Sequence, residues 1–440
     1  MDSGGIGSYD VVVVGSGAAG SSAAIAAARS GAETLVIEKL PFLGGNSTAV
    51  LDTFYGFYTP GERALKVVGG VGDEVVAGLR RLGRVVERPN TYGAGTGITY
   101  LAEHLKVVWE SLVTDAGARV LLHSMVQDVT LDDGLVTRLQ VATKAGLRTV
   151  EAGVVVDASG DADVCHQAGF EYELAGAVDP AQTLTTTFRM VNVDHERRAS
   201  IGKDELHRLM ADAAETGDYD LPRREGSDHI TPVDGMTATV MTRVDQVTRL
   251  PDGSIRNATD PEILSRAEMS GRRQALEYAR FLVDRVPGYE KASLVFLSSQ
   301  IGMRETRRVH GDYRVTRDDV LGARQFEDQI GLCGAPIEDH HPGVGTRWEY
   351  LPEGSAVGIP LRSLIPRDGV NVLTPGRCFS ATHDAQASIR SMAQCMAMGH
   401  AAGVVAAIAA RQGRSVRGVP FGAVRDRLLQ GGAVIEVPEE

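Results

Sequence analysis

The chain has 440 residues, 43% of them hydrophobic and 23% charged, and is long enough for two domains. Acidic residues outnumber basic ones by 12, which excludes the basic footprint of a nucleic-acid binder. The four cysteines, Cys165, Cys333, Cys378 and Cys395, are isolated, so no zinc site, dithiol site or disulfide framework is expected, and a reducing cytoplasm fits them best.

The first ten residues, MDSGGIGSYD, have no basic region and no apolar core, so no signal peptide is expected there. Val11 to Val14 are a continuous apolar run, as in a strand buried on both faces of a parallel sheet. Gly15-Ser16-Gly17-Ala18-Ala19-Gly20 follows, then an alanine-rich helix from Ser21 to Arg29 that Gly31 can end. Glu33 to Ile37 reads as a second strand, closed by Glu38 and Lys39. Strand, glycine turn, helix, strand and acid make one complete dinucleotide-binding βαβ unit. Gly15 permits the tight turn, Gly17 admits a pyrophosphate and Gly20 lets the helix pack on the strand. The helix N-terminus offers free N–H groups to the phosphates. Glu38 is placed to accept hydrogen bonds from the adenosine ribose and would repel the 2′-phosphate of NADP. At this point NAD and FAD remain equal alternatives.

LPFLGGNSTAV follows at residues 40–50. A second glycine pair, Gly44-Gly45, with Asn46 and Ser47, suits a cofactor that continues past the first pyrophosphate contact; an ordinary loop would read the same. VVGGVGDEVVAGLRRLG, residues 67–83, lacks a full GxGxxG and a following strand and acid, so it reads as a turn before an amphipathic helix. No second nucleotide site for NAD(P)H is expected. Leu101 to Val113 has helical periodicity, Val120 to Leu122 reads as a strand, and alternating strands flank a turn at Asp133-Gly134. VVVDASGDADVCHQAG, residues 154–169, is again strand, small-residue turn, acids and helix, with Ala158, Ser159 and Gly160 in the turn.

Residues 171–353 lose the βαβ rhythm and carry charged helical stretches such as DELHRLMADAAE and EILSRAEMSGRRQALEYARFLVDR. IGMRETRRVHGDY contains Arg304, Arg307 and Arg308, whose guanidinium groups could hold a carboxylate or simply pair with acids to fasten the fold. Asp339-His340-His341 precedes Pro342; adjacent histidines point apart, so no metal site is expected, and His341 is an acid/base candidate against the plainer reading of a surface histidine. Residues 370–403 read VNVLTPGRCFSATHDAQASIRSMAQCMAMGHAAG. Val370 to Leu373 look like a strand and Gly376-Arg377 part of a turn. A long small-residue helix starts near Ser391 and Met392, and its first turn could donate N–H groups to a flavin. Its apolar stretch is interrupted by Gln394 and His400, so it reads as a buried helix and not a membrane anchor. His383 is the histidine best placed by position. Arg390 could stabilise negative charge on a reduced flavin, and Arg362 is a further basic candidate. Three strands thus end in small-residue turns that would meet at one sheet edge, where open α/β folds bind ligands.

These pieces, VVVVGSGAAG, EKLPFLGGNST, DASGDAD, IGMRETRRVHGDY, GIPLRSLIP and PGRCFSATHDAQASIRSMAQCMAMGHAAG, occur in an order that resembles the FAD-dependent oxidoreductases related to fumarate reductase and succinate dehydrogenase flavoproteins. The small stand-alone bacterial branch is the most similar. The resemblance implies an α/β fold: a Rossmann-type FAD-binding domain, a parallel sheet with helices, carrying an inserted α+β substrate domain. The FAD domain would take residues 1–60, 99–170 and 354–415, the substrate domain 61–98 and 171–353, and residues 416–440 a C-terminal tail. It places Val126 near the adenine and makes Arg304 a proton-delivering residue. The segment that carries covalent flavin in the respiratory members is missing, so the FAD is expected to be non-covalent.

Flavin carries the redox step in such a protein, and the chain supplies position and proton handling. The expected activity is a dehydrogenase or reductase moving a hydride between flavin N5 and a small polar substrate, with a carboxylate as the group the arginines suit. An oxidase using oxygen is a second reading, and an electron-transfer subunit needing a separate redox partner a third. No nucleic acid and no membrane partner is expected.

Overall fold

The computed structural model describes residues 5–88, 96–343, 345–413 and 415–437. Parts of the predicted segments, residues 1–4, 89–95, 344, 414 and 438–440, lie outside the described residues. In chain order the elements that position the site are β1 (Gly5–Val14), α1 (Ala18–Arg29), β2 (Thr34–Ile37), α2 (Val71–Leu82), α3 (Ala102–Asp115), β3 (Arg119–Leu121), β4 (Met125–Asp132), β5 (Leu135–Thr143), β6 (Gly146–Asp157), β7 (Val372–Leu373), α4 (His383–Ile389) and α5 (Met392–Gln412).

Val11 to Val14 are buried because β1 has parallel neighbours on both sides: Val12 faces Leu35 of β2 and Val155 of β6. β3 extends the sheet beyond β2, and β7 pairs parallel with the C-terminal half of β6, giving the order β3-β2-β1-β6-β7. The N-terminal half of β6 instead pairs antiparallel with β5, which pairs with β4. Asp133 and Gly134 both have positive φ between β4 and β5, as the Asp-Gly pair predicts. The result is the mixed α/β, Rossmann-type arrangement expected.

One face of the sheet is covered by α1, α3 and α5. α5 lies against α1 at backbone distance: a Cβ at Gly399 would sit 2.0 Å from the Ala19 carbonyl oxygen, and one at Gly403 2.2 Å from that of Ala23. That close approach explains the glycine and alanine content of both helices. Among the described residues α5 is the helix long and apolar enough to cross a membrane, and 83% of its most apolar window is buried within the fold. The opposite face is covered by a second apolar cluster around Val14, Leu35, Val126, Val155, Val164 and Phe170.

Between β6 and β7 the chain builds a four-stranded antiparallel sheet from Ser227–Ile230, Thr237–Val240, Phe188–Val191 and Ser293–Leu297, in that order. It packs with the helices Lys203–Thr216 and Pro261–Arg285 around Phe188, Met210, Tyr278, Phe281 and Tyr289. This insert core is narrower than the 171–353 span read from the sequence. Val315, Val320 and Leu332 join the α5 side, and so does α2, although 61–98 was assigned to the insert. The segment assigned as a tail contains the helix Phe421–Gln430, whose Val424 and Leu428 are buried against α5. Short strands and amphipathic helices look alike in sequence whichever core they cover.

His400 of α5 is wedged between glycines: a Cβ at Gly70 would be 3.0 Å from its Nδ1 and one at Gly431 2.8 Å from its Cε1. Burial pushes its pKa down to about 4. Unfolded histidine titrates near pH 6.5, so below that the unfolded chain takes a proton that the folded chain refuses. The penalty grows as pH falls from about 6.5 to about 4, reaching roughly 3 kcal/mol by linkage. In urea titrations across that range, His400→Leu is expected to lose stability less steeply than the parent chain; parallel curves would refute a neutral buried His400.

Candidate functional site

The first glycine turn is held by direct backbone contact. Gly15 has φ +89° and its amide bonds the Ile37 carbonyl at 2.8 Å. A Cβ on Gly15 would lie 2.5 Å from the Ala158 carbonyl oxygen, and one on Gly20 1.9 Å from that of Gly15. The turns after β1 and β6 therefore touch, and the first turn of α1 lies against the Gly15 carbonyl at Gly20. A Cβ on Gly17 would meet nothing within 4 Å, which leaves open the space a pyrophosphate needs. Gly17 caps α1 without any side-chain bond, and Ala18 and Ala19 open the helix beside it. The second glycine pair closes onto this turn: the Gly44 amide donates to the Ser16 carbonyl at 2.8 Å, and a Cβ on Gly45 would be 2.9 Å from Gly17 Cα. Gly376 approaches from the far end of the chain, where a Cβ would be 3.0 Å from that of Ala19.

Glu38 is buried at the end of β2. Its Oε2 accepts from Ser16 N at 2.7 Å and Ser16 Oγ at 2.6 Å, and its Oε1 accepts from Leu40 N at 2.8 Å. Its carbonyl accepts from Ser124 N, which brings the start of β4 and buried Val126 beside it. Lys39 is exposed and acts on Asp161 and Asp163 by charge. Ser159 Oγ donates to Asp157 at 2.7 Å, and Gly160 has φ +79°. Arg377 pairs with Asp161 at 2.7 Å and leaves a buried Nη1 without a partner. Asp163, half-buried, is pushed up to about 6 by desolvation and by the charges of Asp161 and Asp157. Ser47 differs from expectation: its hydroxyl donates to the Gly44 carbonyl at 2.7 Å and stabilises its own turn. Asn46 reaches the insert side, donating to the Met303 carbonyl at 3.2 Å.

The three arginines separate. Arg307 bonds the Asp161 carbonyl and Asp163, and Arg308 pairs with Glu305 and Glu173. Arg304 has no carboxylate partner among the described residues; its Nη1 donates to the Thr183 carbonyl at 2.8 Å and Thr185 Oγ1 at 2.7 Å. Burial, then Arg390 and Arg223, hold its pKa well below the usual arginine value, with Glu338 opposing. Arg390 sits between α4 and α5, donates to Gln182 Oε1 at 2.9 Å and the Glu338 carbonyl at 3.2 Å, and has a buried Nε without a partner. Ser391 caps α5 without a side-chain bond, and half-buried Met392 begins it.

The histidines redistribute. His383 is buried with Nδ1 at 3.0 Å from Glu305 and Nε2 at 3.2 Å from Asp339, an arrangement that fastens α4 to the insert side. His341 is half exposed and 3.6 Å from Asp339, apart from this cluster of arginines. The neighbouring His340 is the buried one, bonded to Glu338 at 2.9 Å and Thr346 at 3.1 Å. Burial and the charge of Arg304 hold it neutral, well below the ordinary histidine value. Against the desolvation that would raise it, half-buried Glu338 is drawn down to about 2 by its hydrogen bond with neutral His340 and by the charges of Arg390 and Arg304. Sequence reasoning missed Glu338 and His340, because no periodicity distinguishes adjacent loop histidines. Arg362 pairs with Asp328 on the surface, away from this group. No cluster of metal-ligating side chains occurs among the described residues.

The free helix caps, the open space at Gly17 and the unpartnered Arg377 and Arg390 nitrogens fit an FAD laid from Glu38 toward the start of α5. Comparison with known proteins bears on the same residues. A family model described as "FAD dependent oxidoreductase" matches residues 10–428. Digeranylgeranylglycerophospholipid reductase of Thermoplasma acidophilum is 30% identical over 199 residues, covering 42% of this chain and 48% of that protein. Fumarate reductase (cytochrome) of Shewanella frigidimarina is 48% identical over 58 residues, 13% of this chain and 10% of that protein. The chain therefore spans about half the length, or less, of these curated relatives. Among solved structures, the flavin-dependent brominase Bmp2 superimposes with a TM-score of 0.50 at 15% identity, covering 95% of this chain and 83% of that one, a likeness of fold.

Gly17→Ala separates cofactor space from folding. Its Cβ meets no protein atom, so the apoprotein melt is expected to stay within about 0.5 kcal/mol of the parent. FAD affinity, read by fluorescence titration, is expected to fall roughly tenfold or more as the methyl enters the pyrophosphate space. Unchanged affinity would remove the pyrophosphate from this turn.

Proposed function

The chain belongs to the FAD dependent oxidoreductase family and is an FAD-using oxidoreductase; we propose that it is a dehydrogenase or reductase of a small carboxylate-bearing molecule. The observation that carries this reading is Arg304, a half-buried arginine with no carboxylate partner among the described residues and with Arg390 nearby. Like charges held together in a site of reduced dielectric raise each other's energy, and a bound anion relieves both. Arg304 can meet a carboxylate with two parallel N–H bonds while its Nη1 stays anchored on Thr183 and Thr185. Its lowered pKa also makes release of a guanidinium proton less costly than from a solvated arginine, which supports a role in proton delivery.

When bound, FAD supplies the hydride exchange at N5. The chain's part is positional. Asn46 and the Met303 carbonyl join the second glycine turn to the segment carrying Arg304, so cofactor and substrate group are registered by one hydrogen bond. His340 stays neutral next to Glu338, which keeps one anion near the two arginines without filling the Arg304 fork. His383 and His341 are better read as structural and peripheral. The FAD is proposed to be non-covalent.

Acid precipitation of the purified protein is expected to leave its yellow colour in the supernatant; colour in the pellet would mean a covalent link. Anaerobic bleaching of the flavin is then expected with small hydroxy-, amino- or saturated carboxylates and not with their methyl esters. Arg304→Gln is expected to lower kcat by roughly a hundredfold to ten-thousandfold with flavin content unchanged. Equal bleaching by acids and esters, or full activity of Arg304→Gln, would overturn the reading. Stoichiometric oxygen uptake during turnover would favour an oxidase instead.

A further inference from the structure

A chain of three buried amides connects the residues that the site depends on. Gln386 of α4 is fully buried, and its Nε2 donates to the Arg304 carbonyl at 2.8 Å and the Arg377 carbonyl at 3.3 Å. Two carbonyl oxygens facing the same atom fix that atom as nitrogen, so Gln386 Oε1 must point the other way. There it accepts from Nε2 of Gln182, also fully buried, at 3.0 Å. The remaining oxygen of Gln182 is thereby committed to Arg390, whose Nη2 donates to it at 2.9 Å. Gln246 holds the other end, donating to the Gln182 and Glu305 carbonyls at 2.5 and 2.9 Å. Each amide has one orientation that satisfies its neighbours, and reversing any one would set donor against donor or acceptor against acceptor.

We infer that Gln386 and Gln182 are positioning residues that hold the Arg390 guanidinium at the head of α5 and lock its placement to the backbone of Arg304 and Arg377. This rests on the reading that Arg390 lies by the flavin. Gln386 bonds the backbone of Arg304 and Arg377 and reaches the Arg390 side chain through Gln182. A shift in α4 would therefore move the site's cationic groups together. No solvent reaches the amides to substitute for a lost bond, so an altered Gln386 must reorient Gln182 and release Arg390.

The test is the flavin midpoint potential of the holoenzyme, by dye-linked spectroelectrochemistry, in Arg390→Leu, Gln386→Leu, Gln386→Glu and the Gln386→Leu/Arg390→Leu double variant. Gln386→Glu keeps the volume and covers the case in which Gln386→Leu does not fold. Removing positive charge beside the flavin is expected to make the potential more negative in Arg390→Leu. Gln386→Leu is expected to shift it in the same direction, and to add nothing once Arg390 is gone. A normal potential in Gln386→Leu and Gln386→Glu beside a shifted Arg390→Leu would overturn the positioning role while leaving Arg390 by the flavin. So would a Gln386 shift of equal size in the Arg390→Leu background. An unshifted Arg390→Leu would instead remove Arg390 from the flavin, and the inference with it.

Discussion

The structure turns on one constraint, which is that backbone must touch backbone around the first glycine turn. Gly15 lies against Ala158, Gly20 against Gly15, Gly45 against Gly17, and Gly399 against Ala19. Each contact closes to a distance at which a side chain would collide, so the four segments involved can meet only without Cβ atoms at these points. The consequence reaches outward. Because α5 can lie on α1 at carbonyl distance, its N-terminal turn is brought to the same sheet edge as the turns after β1 and β6. Segments more than 350 residues apart, the turn at 15–20 and the helix beginning at Met392, thereby share one site.

Charge organises the other side of that site. Three arginines there have carboxylate partners: Arg377 pairs with Asp161, Arg307 with Asp163, and Arg308 with Glu305 and Glu173. Arg304 is left with a backbone carbonyl and a hydroxyl, and Arg390 with an amide oxygen and a carbonyl. Glu338 is near both but directs its carboxylate to His340. Neutral acceptors solvate these two cations without cancelling them, which leaves local positive potential where an anion can be bound.

The parts legible in the sequence were those written in local pattern. The Val11 to Val14 run, the glycine spacing, Glu38 and the Asp133-Gly134 turn need only neighbours in the chain to be recognised. The parts that were not legible depend on partners far away. Nothing local tells Arg304 from Arg307 and Arg308; what separates them is Asp163, 144 residues from Arg307, and Glu173, 135 residues from Arg308. Likewise His383 had the favoured position, yet Glu305 and Asp339 close on it from two other segments, while His340 was passed over beside a more exposed twin. The limits of the insert were overdrawn for the same reason, since the apolar residues between Val315 and Ile337 resemble insert sequence but join the apolar cluster that holds α5.

The junction between the sheet and the insert is tied largely by polar contacts. Asp52, just beyond the second glycine turn, accepts from His229 at 2.9 Å, and its other oxygen is 3.7 Å from Arg189 Nε, both residues being on the insert sheet. The Asn46 bond to Met303 and the Thr187 hydroxyl on the Val50 carbonyl join the same short segment to the insert. Beside them is a cavity of about 10 Å³, near the size of one water, lined by Asp52, Arg189, His229 and Thr239. An apolar seam would tolerate sliding by fractions of an ångström, because dispersion contacts have little direction. Directional bonds to Asn46, Val50 and Asp52 tolerate much less, since a buried donor or acceptor that loses its partner costs about 1–3 kcal/mol. The turn that abuts Gly17 is therefore registered against the segment that carries Arg304 by hydrogen-bond geometry, and the precision of the site is inherited from that seam.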